Sequence, residues 1–161
     1  MEDILKELNR FLGKASLATY SGSGPETDTQ TSEFTELEFK EGTWSYRDSY
    51  TGFFQSWGRE TVWYNEKPFW TQLYGGGMVK KFQNNSEFAL KTFQFLKKAM
   101  SEREKIKDFQ PRGPKHFAED DWKYQCEWKG DITKFEGNEK ILFKGKVVFT
   151  HDFLGGLVKN D

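Results

Sequence analysis

YGGGMVK, residues 74–80, returns near the end of the chain as FLGGLVK, residues 153–159. Working outward from these glycines, residues 44–80 align with residues 122–159 once Glu136 is taken as an extra residue in the second stretch. Identities then fall at Trp44/Trp122, Tyr46/Tyr124, Gly52/Gly130, Glu60/Glu139 and Thr71/Thr150, and again at the glycines. Each stretch follows a helical segment carrying FL-x-K-A, at residues 11–15 and 95–99. Matches in this order mark an architectural repeat. They predict a single α+β domain over residues 1–161, with repeat 1 at about 1–80 and repeat 2 at about 86–159. In that reading a helix plus an antiparallel β-meander is written twice, with the helices packed on antiparallel sheet.

Local patterns fill in the units. Ile4, Leu5, Leu8, Phe11 and Leu12 form the stripe of an amphipathic helix. A second helix is expected to start at Ser86 as N-cap, with Ala89, Phe93, Leu96 and Met100 on one face. Trp44, Tyr46, Asp48 and Tyr50 alternate with polar residues and share one face of a strand, as do Trp122, Tyr124, Cys126 and Trp128. Turns are expected at Gly58, at 65–68, at Gly137-Asn138 and at Lys144-Gly145. The glycine phrase is expected just after the last strand of each unit, where positive φ or close backbone approach is needed. It lacks the GxxxxGK[ST] spacing of a phosphate loop.

Composition sets bounds. Six Trp and sixteen Phe supply the apolar area in an aromatic-rich chain, so a core is attainable at 35% hydrophobic residues. The net charge of −1 has no clustered basic patch, which argues against nucleic-acid binding by this chain alone. The single Cys126 excludes an internal disulfide framework. No apolar run resembles a signal sequence or a membrane span, so a cytoplasmic location is the expectation. The sequence implies no cofactor and no metal.

Candidate site residues emerge where the aligned stretches differ. Asp48 stands on an aromatic face where the second stretch has Cys126. A carboxylate there needs a partner, a proton, a ligand or water. Glu60 and Glu139 recur on apolar faces and are expected to cap a turn or strand end. Asp48, Glu60 and Gln72 are expected at one level, and Cys126, Glu139 and His151 at the other. Paired carboxylates Asp48 and Glu60, or Cys126 with His151, are therefore the enzymatic alternatives. A metal set of His116, His151 and Asp152 is weaker, because Asp152 should face away from His151. Residues 19–34, rich in Gly, Ser, Thr and acids, read as a long loop, either a lid over the aromatic face or disordered.

The phrases ATYSGSG (18–24), YRDSYTG (46–52), WGRETVWY (57–64), KPFW (67–70), PRGP (111–114) and GNEKILFKGKVVFTHDFLGGLV (137–158) resemble an uncharacterised bacterial family, a domain of unknown function. The resemblance implies that some relatives follow a helix-turn-helix domain in predicted transcriptional regulators. It supplies no activity, cofactor or catalytic residue. The chain departs from that pattern at Phe153-Leu154, where Tyr-His would precede the glycines, and it shows no helix-turn-helix ahead of the domain.

The functional expectation is a non-catalytic small-molecule-binding or sensor domain, with Trp44, Tyr46, Asp48, Tyr50, Glu60, Trp70 and Tyr74 lining the pocket. A hydrolase-like enzyme is the second reading. A protein–protein module or homodimer burying an aromatic face is the third.

Overall fold

The computed structural model describes residues 1–28 and 32–160. Residues 29–31 of the expected 19–34 loop therefore lie outside the described residues. Helix α1 spans Glu2–Ala18, followed by β1 (Thr35–Glu41), β2 (Trp44–Gly52), β3 (Gln55–Tyr64) and β4 (Lys67–Met78). Helix α2 (Ser86–Ser101) leads through a short 3-10 turn to β5 (His116–Glu119), β6 (Trp122–Asp131), β7 (Lys134–Phe143) and β8 (Lys146–Leu157).

All eight strands belong to one antiparallel sheet, in the order β1-β2-β3-β4-β8-β7-β6-β5. About 47% of the chain is strand and 25% helix. This corrects the expectation of an α+β fold built from a repeated helix-plus-meander packed on sheet. The physical reason lies at the centre. β4 and β8 pair from Trp70↔Leu157 to Met78↔Phe149, so the strands on either side are parts of one surface rather than two. The helices join each other as well: both contact the 3-10 turn at Glu102–Lys105 and each contacts the other.

The glycine phrases sit inside β4 and β8, not beyond them. Gly76 and Gly77 take φ of 136° and 152°, and Gly156 takes 154°. A Cβ on Gly155 would stand 2.5 Å from the Thr71 carbonyl oxygen on the neighbouring strand. Positive φ and close approach are thus the correct reasons at a different place. The expected turns at Gly58 and Gly137 are also strand interior. There the missing side chain makes room for a ring: a Cβ would lie 2.3 Å from Cζ of Tyr74 at Gly58, and 2.7 Å from Cζ of Phe153 at Gly137. Asn65-Glu66 and Lys144-Gly145 are turns as expected, with all four residues at positive φ.

Helix α1 buries Leu8, Phe11, Leu12 and Ala15. Helix α2 is capped one residue earlier than expected, by Asn85, whose side chain accepts from the Phe88 amide at 3.0 Å. It buries Ala89, Phe95, Leu96, Ala99 and Met100, while Phe93 is only half-buried. Among the described residues, no helix is long and apolar enough to cross a membrane.

Candidate functional site

Residues facing one another across antiparallel strands point to the same side of the sheet, so the register builds the site. One row runs Asp48↔Glu60↔Gln72↔Gly155 over β2, β3, β4 and β8. The other runs Ser56↔Gly76↔His151↔Glu139↔Cys126 over β3, β4, β8, β7 and β6. Asp48, Glu60, Gln72, Cys126, Glu139 and His151 are all buried.

Two buried acids on an apolar face need a cation. Arg112, in the loop before β5, provides it. Its Nη1 donates to Glu60 Oε1 at 2.8 Å and its Nε to Glu139 Oε1 at 3.0 Å. Gln72 Nε2 adds a bond to Glu60 Oε1 at 3.2 Å, and Tyr124 donates its hydroxyl to Glu139 Oε2 at 2.6 Å. The guanidinium carbon lies 4.4 Å from the centre of the Tyr74 ring. Glu60 and Glu139 are therefore halves of a buried ion-pair network in mid-strand. The expectation that they cap strand ends does not hold.

These partners set the protonation states. Burial pushes Glu139 up, but Arg112, the His151 bond and Tyr124 outweigh it and hold the carboxyl at about 2. Burial works against the Arg112 charge, yet Glu139 and Glu60 raise it well above the ordinary arginine value. For Asp48 the balance falls the other way. Burial and then the Glu60 charge push it up to about 7, against the opposing pull of the Tyr74 hydroxyl, which donates to Oδ1 at 2.8 Å. One carboxyl of the site thus changes its proton near neutrality, while Glu139 and Arg112 hold their charges.

This has a stability consequence. The folded value of Asp48 lies above the unfolded 3.8, so the folded chain keeps a proton the unfolded chain has lost. Its contribution is fully present below about pH 4 and is lost as pH rises towards 7, by on the order of a few kcal/mol. Glu139 acts in the opposite sense only below its unfolded 4.5. Asp48→Asn removes the titrating proton. Urea unfolding should show its stability relative to wild type rising from pH 5 to pH 8; a difference independent of pH would mean that Asp48 is ionised throughout.

Above the Asp48 row lies a cavity of about 520 Å³ between α2, the end of α1 and the sheet. Tyr46, Asp48, Tyr50, Glu60 and Tyr74 line its sheet side, Leu90, Phe93 and Lys97 its helix side, and Arg112 reaches it from the loop before β5. Tyr20, which follows α1, also lines it, with the Lys97 ammonium 5.1 Å from the ring centre. Of the seven residues expected to line a pocket, Trp44 and Trp70 stand apart. Trp44 packs with Phe11, Tyr64 and Phe69. Trp70 stacks on Phe135 and donates Nε1–H to the Ile132 carbonyl at 3.0 Å. Both are core.

Cys126 is not paired with His151 in the way a nucleophile would need. His151 Nδ1 meets Glu139 Oε1 at 3.0 Å, and its Nε2 meets Ser56 Oγ at 3.4 Å. Burial and the Glu139 charge push the thiol up to about 12. A thiol-specific disulfide reagent should leave Cys126 unmodified in the folded chain and modify it on denaturation; fast modification of the native protein would show that this part of the sheet opens. Asp152 accepts from Asn138 Nδ2 at 2.8 Å, on the side of the sheet away from His151.

Sequence reasoning missed Arg112, Tyr124 and Ser56. A signal for Arg112 did exist: two acids on apolar faces demand a buried cation, and Arg112 sits in the short PRGP phrase. Ser56 carries no such signal, because it reads as an ordinary polar strand residue.

The sequence profile of a domain of unknown function, DUF5680, matches residues 48–158. That span contains the whole buried network, from Asp48 to His151. No significant match was found among curated proteins or among solved structures.

Proposed function

We propose that this chain, which belongs to the DUF5680 family of domains of unknown function, binds a small molecule in the cavity over Asp48. The observation that carries this reading is the pairing of an aromatic-walled space of about 520 Å³ with a buried carboxyl poised at about 7. Small-molecule sites combine such apolar walls with a few placed polar groups. Tyr20, Tyr46, Tyr50 and Phe93 offer flat apolar area, and Asp48 with the Tyr74 hydroxyl offers one orienting polar contact. A concave, aromatic-walled cavity on this face favours a ligand over a protein partner, which would call for a flat exposed aromatic surface. Glu60 is engaged by Arg112 and Gln72, so Asp48 and Glu60 do not act as a free carboxylate pair. A sensor role follows the bacterial resemblance above, in which relatives carry a helix-turn-helix output.

A melting-temperature screen against a metabolite library tests this on wild type and Asp48→Asn side by side. A ligand at one hundred times its Kd adds about 2.7 kcal/mol. A compound that raises the wild-type melting temperature and acts more weakly on the folded variant supports the site. Equal stabilisation of both proteins would place the ligand elsewhere, and no stabilising compound at all would count against a small-molecule role.

A further inference from the structure

Ser56 and His151 stand on strands two apart, with β4 between them. Strands are spaced about 4.8 Å apart, so side chains two strands away ordinarily stand about 10 Å apart with a third side chain between. Here the residue between them in register is Gly76, which has none. Ser56 Oγ and His151 Nε2 meet over that glycine at 3.4 Å.

The ring is held from its other nitrogen. Glu139 Oε1 lies 3.0 Å from Nδ1. Glu139 is ionised well below neutral pH, so its oxygens only accept and Nδ1 must carry the hydrogen. Nε2 then presents its lone pair to the Ser56 hydroxyl. Glu139 is itself fixed by Arg112 and by Tyr124, whose hydroxyl also accepts from the Gly113 amide at 2.9 Å. Nucleophile, base and orienting carboxylate are in sequence, and Ser56 and His151 both line the cavity. The serine–histidine distance is loose, as such contacts often are before a substrate is bound.

We propose that Ser56, His151 and Glu139 form a nucleophilic triad that hydrolyses a small carboxylic ester held in the cavity, an inference that rests on the cavity being a small-molecule site. His151 Nε2 takes the Ser56 proton as Oγ bonds to the ester carbonyl carbon. The tetrahedral intermediate collapses by breaking the bond to the alkoxide, which leaves with the proton from His151. Water then attacks acyl-Ser56 with His151 again as base, releasing the carboxylic acid and restoring the serine. Arg112 Nη2, whose contact is the weak acceptor Met100 Sδ at 3.9 Å, supplies positive charge on the cavity floor for the developing oxyanion. A cavity of about 520 Å³ suits a compact acyl compound rather than a polypeptide.

The test uses diisopropyl fluorophosphate, which reports an activated serine without knowledge of the natural substrate. The full chain is incubated with it, and intact mass and peptide mapping follow the modification. The expected result is a single phosphoryl group on Ser56, added at least ~100-fold faster than to Ser56 of the urea-unfolded chain, and absent from Ser56→Ala. His151→Gln, if folded by melting analysis, should slow the labelling of Ser56 by a similar factor. Folded wild type that is not labelled at Ser56, or is labelled no faster than the unfolded chain, overturns the triad. So does a folded His151→Gln labelled at the wild-type rate. The metabolite screen repeated on Ser56→Ala keeps the two readings apart: a ligand that stabilises this variant, beside an unreactive wild-type serine, leaves the binding site standing without the triad.

Discussion

Replacing Arg112 with methionine should cost about 3–5 kcal/mol, a large share of the stability of an ordinary domain. The side chain of Arg112 is 4% exposed and those of its partners Glu60 and Glu139 are 5% and 0% exposed. Removing the guanidinium leaves two almost fully buried carboxylates without the cation they share. Methionine fills similar volume, so the loss reports charge rather than a cavity. Protonation of one or both acids is the remaining way to relieve them, so the variant should regain stability as pH falls towards 5, opposite to a protein that has merely lost packing. Urea unfolding at pH 5 and 8 checks both points. The combined Arg112→Met, Glu60→Gln, Glu139→Gln chain should recover most of the loss, because no buried charge is then left without its counterion. If Arg112→Met alone keeps wild-type stability at pH 8, the network is not what holds the PRGP loop to the sheet.

How far this arrangement was legible in the sequence depends on the range of each signal. Alternation is local, and it placed Tyr46, Asp48 and Glu60 on one side of the sheet and aligned Glu139 with His151. The faces of the strands follow from a period of two, whatever the strands pair with. What joined the two halves was not local. The pairing of β4 with β8 is a contact between residues far apart in the chain, and no pattern within either strand announces its partner. The glycines were visible but ambiguous. Glycine marks a turn, a positive φ or a close neighbour, and sequence alone does not separate the three. In the sequence Gly58 and Gly137 look like turns, because the rings of Tyr74 and Phe153 that cover them come from another strand. Trp44 and Trp70 pass for pocket walls in the sequence, because a large ring on an apolar face looks the same in a core and in a cavity. Arg112 escaped notice because a lone arginine in an irregular loop has no periodicity.

Gly76→Ala is the substitution that tests the centre of the sheet, and it should cost about 3 kcal/mol. Two penalties act together. The backbone at φ 136° is closed to L side chains without strain of about 1–3 kcal/mol. The added Cβ would also lie 2.3 Å from the Thr150 carbonyl oxygen and 3.2 Å from the His151 Cα. Both atoms are backbone of β8, so no side-chain rotation relieves the contact, and β4 must move from β8. Gly42 provides the comparison. Its φ is 60° and an added Cβ would meet nothing within 4 Å, so Gly42→Asn, a residue that accepts this conformation, should stay within about 0.5 kcal/mol of wild type. Urea midpoints of the two variants separate position from chemistry, since each adds a side chain to a glycine of positive φ, one inside β4 and the other in the turn between β1 and β2. Gly76→Ala should also disturb the contact between Ser56 and His151, which depends on the empty place between them. A Gly76→Ala chain as stable as wild type would mean that β4 and β8 do not approach as closely as 2.3 Å implies, and the row from Ser56 to Glu139 would lose its geometric basis.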